Sequence, residues 1–420
     1  MASALGRPDP GAPEGGWPLP HTSGTVGLLL KLVVLFSLTR YLHDAVKIVL
    51  ESSFIDFAHY YTYATLVAQG QNPFDPARVA EVDAALGLRR AGAAANYPPP
   101  FYLLMQPWVL LPFRAAGWAW FFAGQACLIG SLGLIRQRVP SASPVQVGAA
   151  LFVLLNYQPL LENLFLGQVN LFLLFLVTLA WWSLRTRRAW LAAVAVAAPP
   201  LIKIQYVFLL PFLWWTGQRR VATRGLLLWV MGVGGGLVFL GPAHYLAYVR
   251  YLLSPPEYLH AWTANLSLRA TLYRLVAGWA HGAAIANGLT LILALALVVG
   301  LVRATSPPVP PDSPSTDWTW GLGLVALLLL SPFTAEHHLV ILLLPLTLLL
   351  LTEPDPPFGR WDYALLLGGA LLLASRYSLD QFPAFHQGML SLVAAGKTLG
   401  VAALGWLLAR RLRGSGAAGS

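Results

Sequence analysis

Cysteine is nearly absent from this chain, which has only Cys127, so no disulfide can form within it. Charged residues are scarce too, at 10% of the sequence, against about 25% in soluble domains. Hydrophobic residues make up 57%, and a soluble enzyme of that composition would expose too much apolar surface to stay in solution. The motifs GxxxxGK[ST], HExxH, CxxC and GxSxG are missing, which argues against ATPases, zinc proteases, thiol redox proteins and α/β hydrolases.

Long apolar runs are what the sequence has instead. Between Glu162 and Arg185 there are 22 residues without a charge, and residues 225–243 and 283–302 are comparable. A helix needs about 20 apolar residues to cross a bilayer core about 30 Å thick. We therefore predict an all-α integral membrane protein, a polytopic helical bundle with about ten spans.

The predicted organisation is a single transmembrane domain at 25–413, between a flexible tail at 1–24, rich in Pro, Gly and Ala, and a disordered tail at 414–420. The first span, near 25–50, is the most polar one. We expect protein to shield one face of it, because charges inside a membrane rarely face lipid. Its charged residues are Lys31, Arg40, Asp44 and Lys47.

Basic residues predict the orientation. The net charge is +10, and the short basic loops that carry much of it should be cytoplasmic. Charge spread over such loops does not form a nucleic-acid groove, so no nucleic-acid partner is expected. The basic loops are 136–138, 185–188, 219–224 and 410–413, and the regions placed on the opposite side are 51–114, 158–168, 242–282, 331–338 and 376–388.

Two segments depart from simple spans. Residues 98–113 are apolar but too short to cross and are interrupted by prolines, so we predict a helix in the outer interface. Residues 189–215 lie between two basic loops and break at Pro199-Pro200, just before Lys203. These features predict a re-entrant or short helical hairpin that returns to the cytoplasmic side, since broken helices at membrane depth line protein cavities.

The first outer loop carries the sharpest functional signal. Asp56 follows the first span and precedes an aromatic-rich segment with Tyr60 and Tyr61, an arrangement that suits a hydroxyl-activating base beside a sugar platform. With other motifs in order, the chain resembles the GT-C glycosyltransferases, and most closely glycosyltransferase family 87, of the polyprenyl-phosphate-mannose-dependent type. The motifs are DF at Asp56, GxNPF ending at Phe74, YPP at Tyr97, LGQVN at Leu166–Asn170, Pro200–Lys203, NLSL at Asn265–Leu268 and SPFTAEHH at Ser331–His338.

This resemblance implies an inverting transfer of a hexose, with mannose as the expected sugar, from a polyprenyl-phosphate donor. The acceptor would be a lipid or a cell-envelope glycan, and the reaction would occur on the outer side of the plasma (inner) membrane. No nucleotide would be needed, because the lipid phosphate already activates the sugar, and neither a cofactor nor a metal is expected. Family members commonly have a tryptophan before the histidine pair, where this chain has Thr334-Ala335-Glu336. Because of this difference, the resemblance does not determine which sugar is transferred.

Asp56 is the predicted general base. The alternative is a helix-capping or interfacial acid, because Asp is a preferred N-cap residue. Three other acids of the same loop, Asp75, Glu81 and Asp83, are predicted to be solvated loop charges.

Cations are expected at the donor phosphate, where negative charge grows as the glycosidic bond breaks. Lys203 follows a helix break, where its ammonium and free backbone N–H groups could share an anion; the alternative is snorkelling to the interface. Of His337 and His338, one should face the cavity while the other packs or caps a helix. Neighbouring histidines on a helix point in different directions, which argues against a shared metal. Arg269 and Arg274 form a further polar cluster, or else a solvated helix face.

Sugar or acceptor binding is assigned to residues that offer hydrogen bonds or aromatic faces. For each, an ordinary structural role is the alternative: interfacial anchoring for the aromatic residues and turn chemistry for the amides. Glu336 could instead pair with a histidine or an arginine. The assigned residues are Tyr60, Tyr61, Tyr97, Gln168, Asn170 and Asn265, with Trp262 as a second aromatic platform beside Tyr97.

A transporter or lipid flippase without transferase activity is the alternative from another functional class, because it would also have broken helices and buried charges. It should show two related halves, whereas only one such hairpin is recognisable. A catalytically inactive scaffold of the same fold is a further alternative, against which the intact Asp56 argues.

Overall fold

The computed structural model describes residues 24–88, 97–253, 261–352, 358–376, 379 and 381–417. Within these ranges the secondary structure is helical and contains no strand, in agreement with the predicted all-α class. The predicted tails lie outside the described residues except at Gly24 and at 414–417, which belong to helices.

The N-terminal part contains one long helix and several short ones. The predicted interfacial segment 98–113 forms a short α-helix and then a 3₁₀ turn, Gln106–Leu110, and neither is long enough to cross a bilayer. Its orientation relative to a membrane stays a prediction. The helices are α1 (Gly24–Glu51), α2 (Ile55–Ala68), α3 (Pro76–Ala85) and α4 (Pro99–Leu104).

The central part alternates long and broken helices. Ser143 and Gln146 form a capping box at the start of α6, and Gly167, with φ 69°, ends α7 in the left-handed region that favours glycine. The helices are α5 (Phe113–Arg138), α6 (Pro144–Leu155), α7 (Gln158–Leu166), α8 (Asn170–Arg185), α9 (Ala189–Ala197), α10 (Pro199–Ile202), α11 (Leu209–Trp215) and α12 (Arg219–Leu240).

The C-terminal part supplies much of the buried core. Nearly every side chain of the helices Ser315–Leu330 and Leu343–Leu351 is buried, and both helices contact α8. A 3₁₀ helix, Glu336–Leu342, precedes α17. The helices are α13 (Pro242–Leu253), α14 (Leu268–Val276), α15 (Gly282–Ala304), α16 (Ser315–Leu330), α17 (Leu343–Leu351), α18 (Arg360–Ala374), α19 (Ser391–Ala394) and α20 (Gly396–Ala417).

The chain reverses direction between α9 and α11, as the predicted hairpin requires. A Cβ atom added at Gly225 of α12 would lie 2.9 Å from Val196 of α9 and 3.0 Å from Leu210 of α11. One added at Gly232, two turns further along, would lie 2.7 Å from Leu201. The arms of the hairpin therefore lie side by side along α12, with the break beyond them.

Several loops meet at one end of the bundle. Arg187 lies 2.7 Å from Asp312, and Gln218 donates to the carbonyl of Val309 at 3.5 Å. The basic loops that follow α8 and α11 therefore share one end with the connection between α15 and α16. The positive-inside rule predicts that this end is cytoplasmic.

Three helices of the described residues, α5, α12 and α15, are long and apolar enough to cross a membrane. A fourth span results if α6 and α7, which meet at a 44° bend, are counted together. Long apolar side chains such as Val238 and Phe239 are exposed on α12, as expected where lipid surrounds a helix. The protein is thus a helical membrane protein, whereas the count of about ten spans stays a prediction.

Candidate functional site

Asp56 lies in the first turn of α2, directly after a sharp change in chain direction. Phe54 has φ 45°, and its N–H donates to Ser52 Oγ, whose own hydroxyl donates to the carbonyl of Phe165 at 2.6 Å. Gly167 packs so closely here that a Cβ would lie 2.8 Å from Phe57. These contacts hold the start of α2 against the turn between α7 and α8, and thereby bring Asp56 beside Gln168.

The carboxylate of Asp56 is half-buried and does not cap its helix. The N-cap position of α2 is Phe54, which makes no side-chain capping bond. Instead, Gln168 donates from Nε2 to Asp56 Oδ2 at 2.7 Å. The capping alternative is therefore wrong for this residue, and one amide of a distant turn orients the predicted base.

Tyr60 and Tyr97 form hydrogen bonds with the carbonyl oxygen of the Gln168 side chain. Tyr60 donates to Gln168 Oε1 at 2.8 Å and Tyr97 donates to the same oxygen at 3.2 Å, while the two hydroxyls lie 2.6 Å apart. Burial raises the pKa of Tyr97, so its hydroxyl stays protonated and able to donate. Both tyrosines are buried supports of Gln168; direct contact with a sugar stays a prediction for them.

Lys203 completes this cluster from the break in the hairpin. Its Nζ lies 3.1 Å from Asn170 Oδ1 and 3.4 Å from Gln168 Oε1, and the residue is only 6% exposed. The side chain thus points into protein, which contradicts the snorkelling alternative. The backbone N–H of Lys203 is not one of the free groups expected at the break, because it donates to the carbonyl of Pro199 at 2.8 Å. We call Asp56, Tyr60, Tyr97, Gln168, Asn170 and Lys203 the Asp56 cluster.

A second group of charged residues surrounds a cavity of about 490 Å³. Lys397, at the start of α20, donates to Glu336 Oε1 at 2.6 Å. The partner of Glu336 is therefore a lysine, not the predicted histidine or arginine. The lining residues are Gln158, Glu162, Trp262, Thr263, Ala264, Leu266, Glu336, Arg376, Leu379, Ala394 and Lys397, and we call this space the Glu162 cavity.

Helix α7 and the 3₁₀ helix Glu336–Leu342 each have consecutive residues that point to different sites, one to the Glu162 cavity or its lining and the next to the Asp56 cluster. In α7, Glu162 lines the cavity, while Asn163 accepts from the side chain of Asn170 at 3.1 Å. In the adjacent 3₁₀ helix, His337 lies 3.8 Å from Glu162, while His338 is within electrostatic range of Lys203. Neighbouring helical residues point apart, so α7 and the 3₁₀ helix separate the Asp56 cluster from the Glu162 cavity.

The two histidines make different contacts, and contact of either one with a donor phosphate stays a prediction. His338 accepts a hydrogen bond at Nδ1 from the backbone N–H of Ala335 at 3.3 Å, so it closes its own turn. His337 is buried and lies 3.8 Å from Glu162, which lines the cavity. Among the described residues, no group of three or more His, Cys, Asp or Glu side chains could hold a metal ion.

Three predicted binding residues make contacts elsewhere. Arg269 donates to Asn287 on α15 at 3.1 Å, and Tyr61 donates to the carbonyl of Leu111 at 2.9 Å. Asn265 is fully buried and accepts from the backbone N–H groups of Ser267 and Thr334. Their binding roles stay predictions, but these described contacts organise loops and not the Asp56 cluster.

Two readings of charged residues as solvated are wrong. Asp83 is buried and accepts from the hydroxyl of Thr62 at 2.7 Å. Arg274 is fully buried and donates to the carbonyls of Trp262 and Asn265. The side chain of Asp75 caps α3, and Glu81 pairs with Arg78 at 2.8 Å on the surface.

Sequence reasoning missed Glu162, Arg376 and Lys397, which line the cavity. The available signal was a lone lysine at the start of the last apolar segment, because an intramembrane charge is a functional candidate. That signal names no partner, since Glu336 lies 61 residues away in the chain.

The sequence model of glycosyltransferase family 87 matches residues 96–332, more than half of the chain. A comparison with curated proteins finds no match. Gln168, Asn170 and Lys203 lie inside the matched range, whereas Asp56 and the histidine pair lie outside it. The match confirms the resemblance inferred from the motifs and favours an enzyme over a transporter. The chain belongs to glycosyltransferase family 87, and the protein is a membrane glycosyltransferase.

Proposed function

We propose that the protein transfers a hexose from a polyprenyl-phosphate sugar to a hydroxyl of a lipid or cell-envelope glycan acceptor, with inversion at the anomeric carbon. The oxygen of the acceptor bonds to the anomeric carbon as the bond from that carbon to the phosphate oxygen breaks. The hydroxyl proton passes to a carboxylate, and polyprenyl phosphate leaves. Mannose is the first candidate for the sugar, on the basis of the family resemblance.

The Asp56 cluster is the observation that carries this proposal. It combines one half-buried carboxylate, oriented by Gln168, with one buried ammonium, Lys203, held by amide oxygens. A base for the acceptor hydroxyl and a cation for the departing phosphate are the two groups that this reaction needs. Asp56 is assigned as the base.

Lys203 is assigned to the donor phosphate. An ammonium has three N–H donors, and its described contacts are with two acceptors, Asn170 and Gln168. None of the ion pairs in the described ranges includes Lys203. A positive charge without a carboxylate partner can therefore stabilise the phosphate as it gains negative charge. Burial and the nearby Lys203 hold the pKa of His338 well below its ordinary value, so His338 would act there as a neutral imidazole and not as a second cation.

The direct test is release of polyprenyl phosphate. Purified protein in lipid nanodiscs is incubated with polyprenyl-phosphate-mannose, polyprenyl-phosphate-glucose and a panel of acceptor lipids. We expect acceptor-dependent release of polyprenyl phosphate and a glycosylated acceptor of inverted anomeric configuration. Movement of intact donor between leaflets without release would support the flippase alternative.

The compartment is tested by cysteine labelling with an impermeant thiol reagent in a Cys127→Ala background. Exposed side chains are needed, so Glu81→Cys and Arg187→Cys are suitable, whereas Asp83 and Ser267 are buried and are not. In intact cells we expect labelling at residue 81 and protection at residue 187 until the membrane is permeabilised. The reverse pattern would place the Asp56 cluster on the cytoplasmic side.

A further inference from the structure

We propose that the Glu162 cavity is the binding site for the sugar hydroxyls of the acceptor, with Glu162 as the residue that recognises them. This assignment rests on the proposed function and names the place of its second substrate. The volume of about 490 Å³ falls within the range of roughly 300–1,000 Å³ usual for small-molecule sites.

The hydrogen-bonding atoms of the cavity call for a ligand that donates. Glu162 Oε2 and Gln158 Oε1 are buried oxygens without a hydrogen-bond partner among the described residues. A buried acceptor without a donor is costly, and both residues line the same cavity. Hydroxyl groups of a sugar supply such donors, and a hydroxyl bound to a carboxylate forms a charge-assisted hydrogen bond.

The other lining residues suit a neutral, polyhydroxylated ring. Trp262 lines the cavity and is 40% exposed, so its ring is accessible to a sugar, although one of its faces lies nearly parallel to Phe333. Glu336 is neutralised by Lys397, and Arg376 lies 3.4 Å from Asp44. The lining cations therefore already have carboxylate partners, which disfavours a phosphate in this cavity.

The cavity also lies where an outer-leaflet acceptor could enter. The predicted outer regions 158–168, 242–282, 331–338 and 376–388 each contribute lining residues. The hydrogen bond from Asn170 to Asn163 ties the residue after Glu162 to the Asp56 cluster. Binding at the cavity would thus hold a sugar of the acceptor on one side of α7 and the 3₁₀ helix, and the attacking hydroxyl would belong to a part of the acceptor that extends past these elements to Asp56.

The test compares wild-type protein with Glu162→Gln, which preserves shape and removes one acceptor oxygen. Glu81→Gln is the matched control, because Glu81 is an exposed surface acid. Binding of methyl α-mannoside to protein in nanodiscs is measured by saturation-transfer NMR, with fully O-methylated mannoside as the ligand that lacks donors. We expect an increase in Kd of about 10- to 100-fold in Glu162→Gln, the range for one hydrogen bond to a charged group.

We also expect Glu81→Gln to match wild type and the O-methylated sugar not to bind. Equal affinity of wild-type and Glu162→Gln protein would overturn the proposal. So would loss of binding in Asp56→Asn with full retention in Glu162→Gln, because the sugar would then occupy the Asp56 cluster. Binding of Ca²⁺ that Glu162→Gln abolishes, without any sugar binding, would make the cavity a cation site and reject the proposal.

Transfer kinetics separate this proposal from the proposed function. With an acceptor that wild-type protein glycosylates, Glu162→Gln should raise the KM for acceptor about 10- to 100-fold while leaving the KM for donor unchanged. Transfer that is indifferent to Glu162→Gln would reject the cavity and keep the function. Glu162-dependent sugar binding without release of polyprenyl phosphate from any donor would keep the cavity as a sugar site and reject the proposed function.

Discussion

Two buried cations at opposite parts of the bundle are held in different ways. Arg185 Nε lies 2.8 Å from Asp317 Oδ1, and Trp181 donates to the same oxygen at 2.8 Å. Lys203 is as deeply buried, but amide oxygens of Gln168 and Asn170 hold it and none of the described ion pairs includes it. One cation has a carboxylate partner within ion-pair distance, and the other has only neutral oxygen atoms as hydrogen-bond partners.

This difference in partners indicates that buried Arg185 has a structural role and that buried Lys203 has a role in the proposed reaction. A buried charge without a counterion raises the free energy of the folded protein. A site that contains such a cation therefore binds an anion favourably. Arg185 is not available to bind another anion in this way, because Asp317 is already its ion-pair partner. Lys203 is available beside Asp56, where the proposed reaction releases a phosphate.

The largest effect is expected for Asp56→Asn, which removes the proton acceptor and preserves the shape of the side chain. Loss of a general base lowers the rate by about 10²- to 10⁴-fold. Release of polyprenyl phosphate measures this rate, with Glu81→Gln as the control because Glu81 is an exposed acid of the same predicted outer region, 51–114. Equal turnover by Asp56→Asn and wild-type protein would show that Asp56 is not the general base.

Lys203→Met should lower kcat by about 10- to 1000-fold, the range for removing one charge-stabilising donor. The uncharged side chain is similar in length and relieves the cost of a buried charge, so thermal stability should not fall. The measurement pairs kcat with the midpoint of thermal unfolding. A fall in stability with specific activity preserved would make Lys203 structural, like Arg185.

Arg185→Met should show the opposite pattern. Removing one partner of a buried ion pair costs about 3–5 kcal/mol of unfolding free energy, because Asp317 is left uncompensated. The specific activity of the folded fraction should stay at the wild-type level. Asp317→Asn in the same protein should restore part of the lost stability, and a double-mutant cycle in detergent would measure this.

The smallest effect is expected for the exposed pair of Arg187 and Asp312. Its hydrogen bond to Arg187 holds the pKa of Asp312 below its ordinary value. A lowered pKa in the folded protein contributes stability above the unfolded pKa, and that contribution disappears as the pH falls through the folded pKa. Thermal unfolding of Asp312→Asn and wild-type protein should therefore differ slightly at pH 7. The difference should begin to shrink near the unfolded pKa of about 3.9 and vanish only below the lower folded pKa.

A difference that persists at low pH would mean that Asp312 stabilises the loop by packing and not by charge.

Local pattern sufficed for several features of the fold and the site. Apolar runs predicted helices because hydrophobicity and span length depend on neighbouring residues only. Pro199-Pro200 predicted the break before Lys203, since proline removes a backbone donor within a short stretch. The position of Asp56 after the first helix was equally visible.

Local pattern failed where the partner is distant. Asp83 looks like a loop charge until α2 packs beside α3 and brings Thr62 to it. Glu336 finds Lys397 only because α20 returns to the 3₁₀ helix. No spacing in the sequence encodes either pairing.

By itself, therefore, the sequence determined a helical membrane protein of glycosyltransferase family 87 with an acid at the start of α2. Only the tertiary structure decided that Gln168, 112 residues further along, orients that acid, and that Glu162 faces a cavity while Asn163 supports Asn170. The physical reason is that helix formation depends on nearby residues, whereas a side chain's environment depends on which helices pack together.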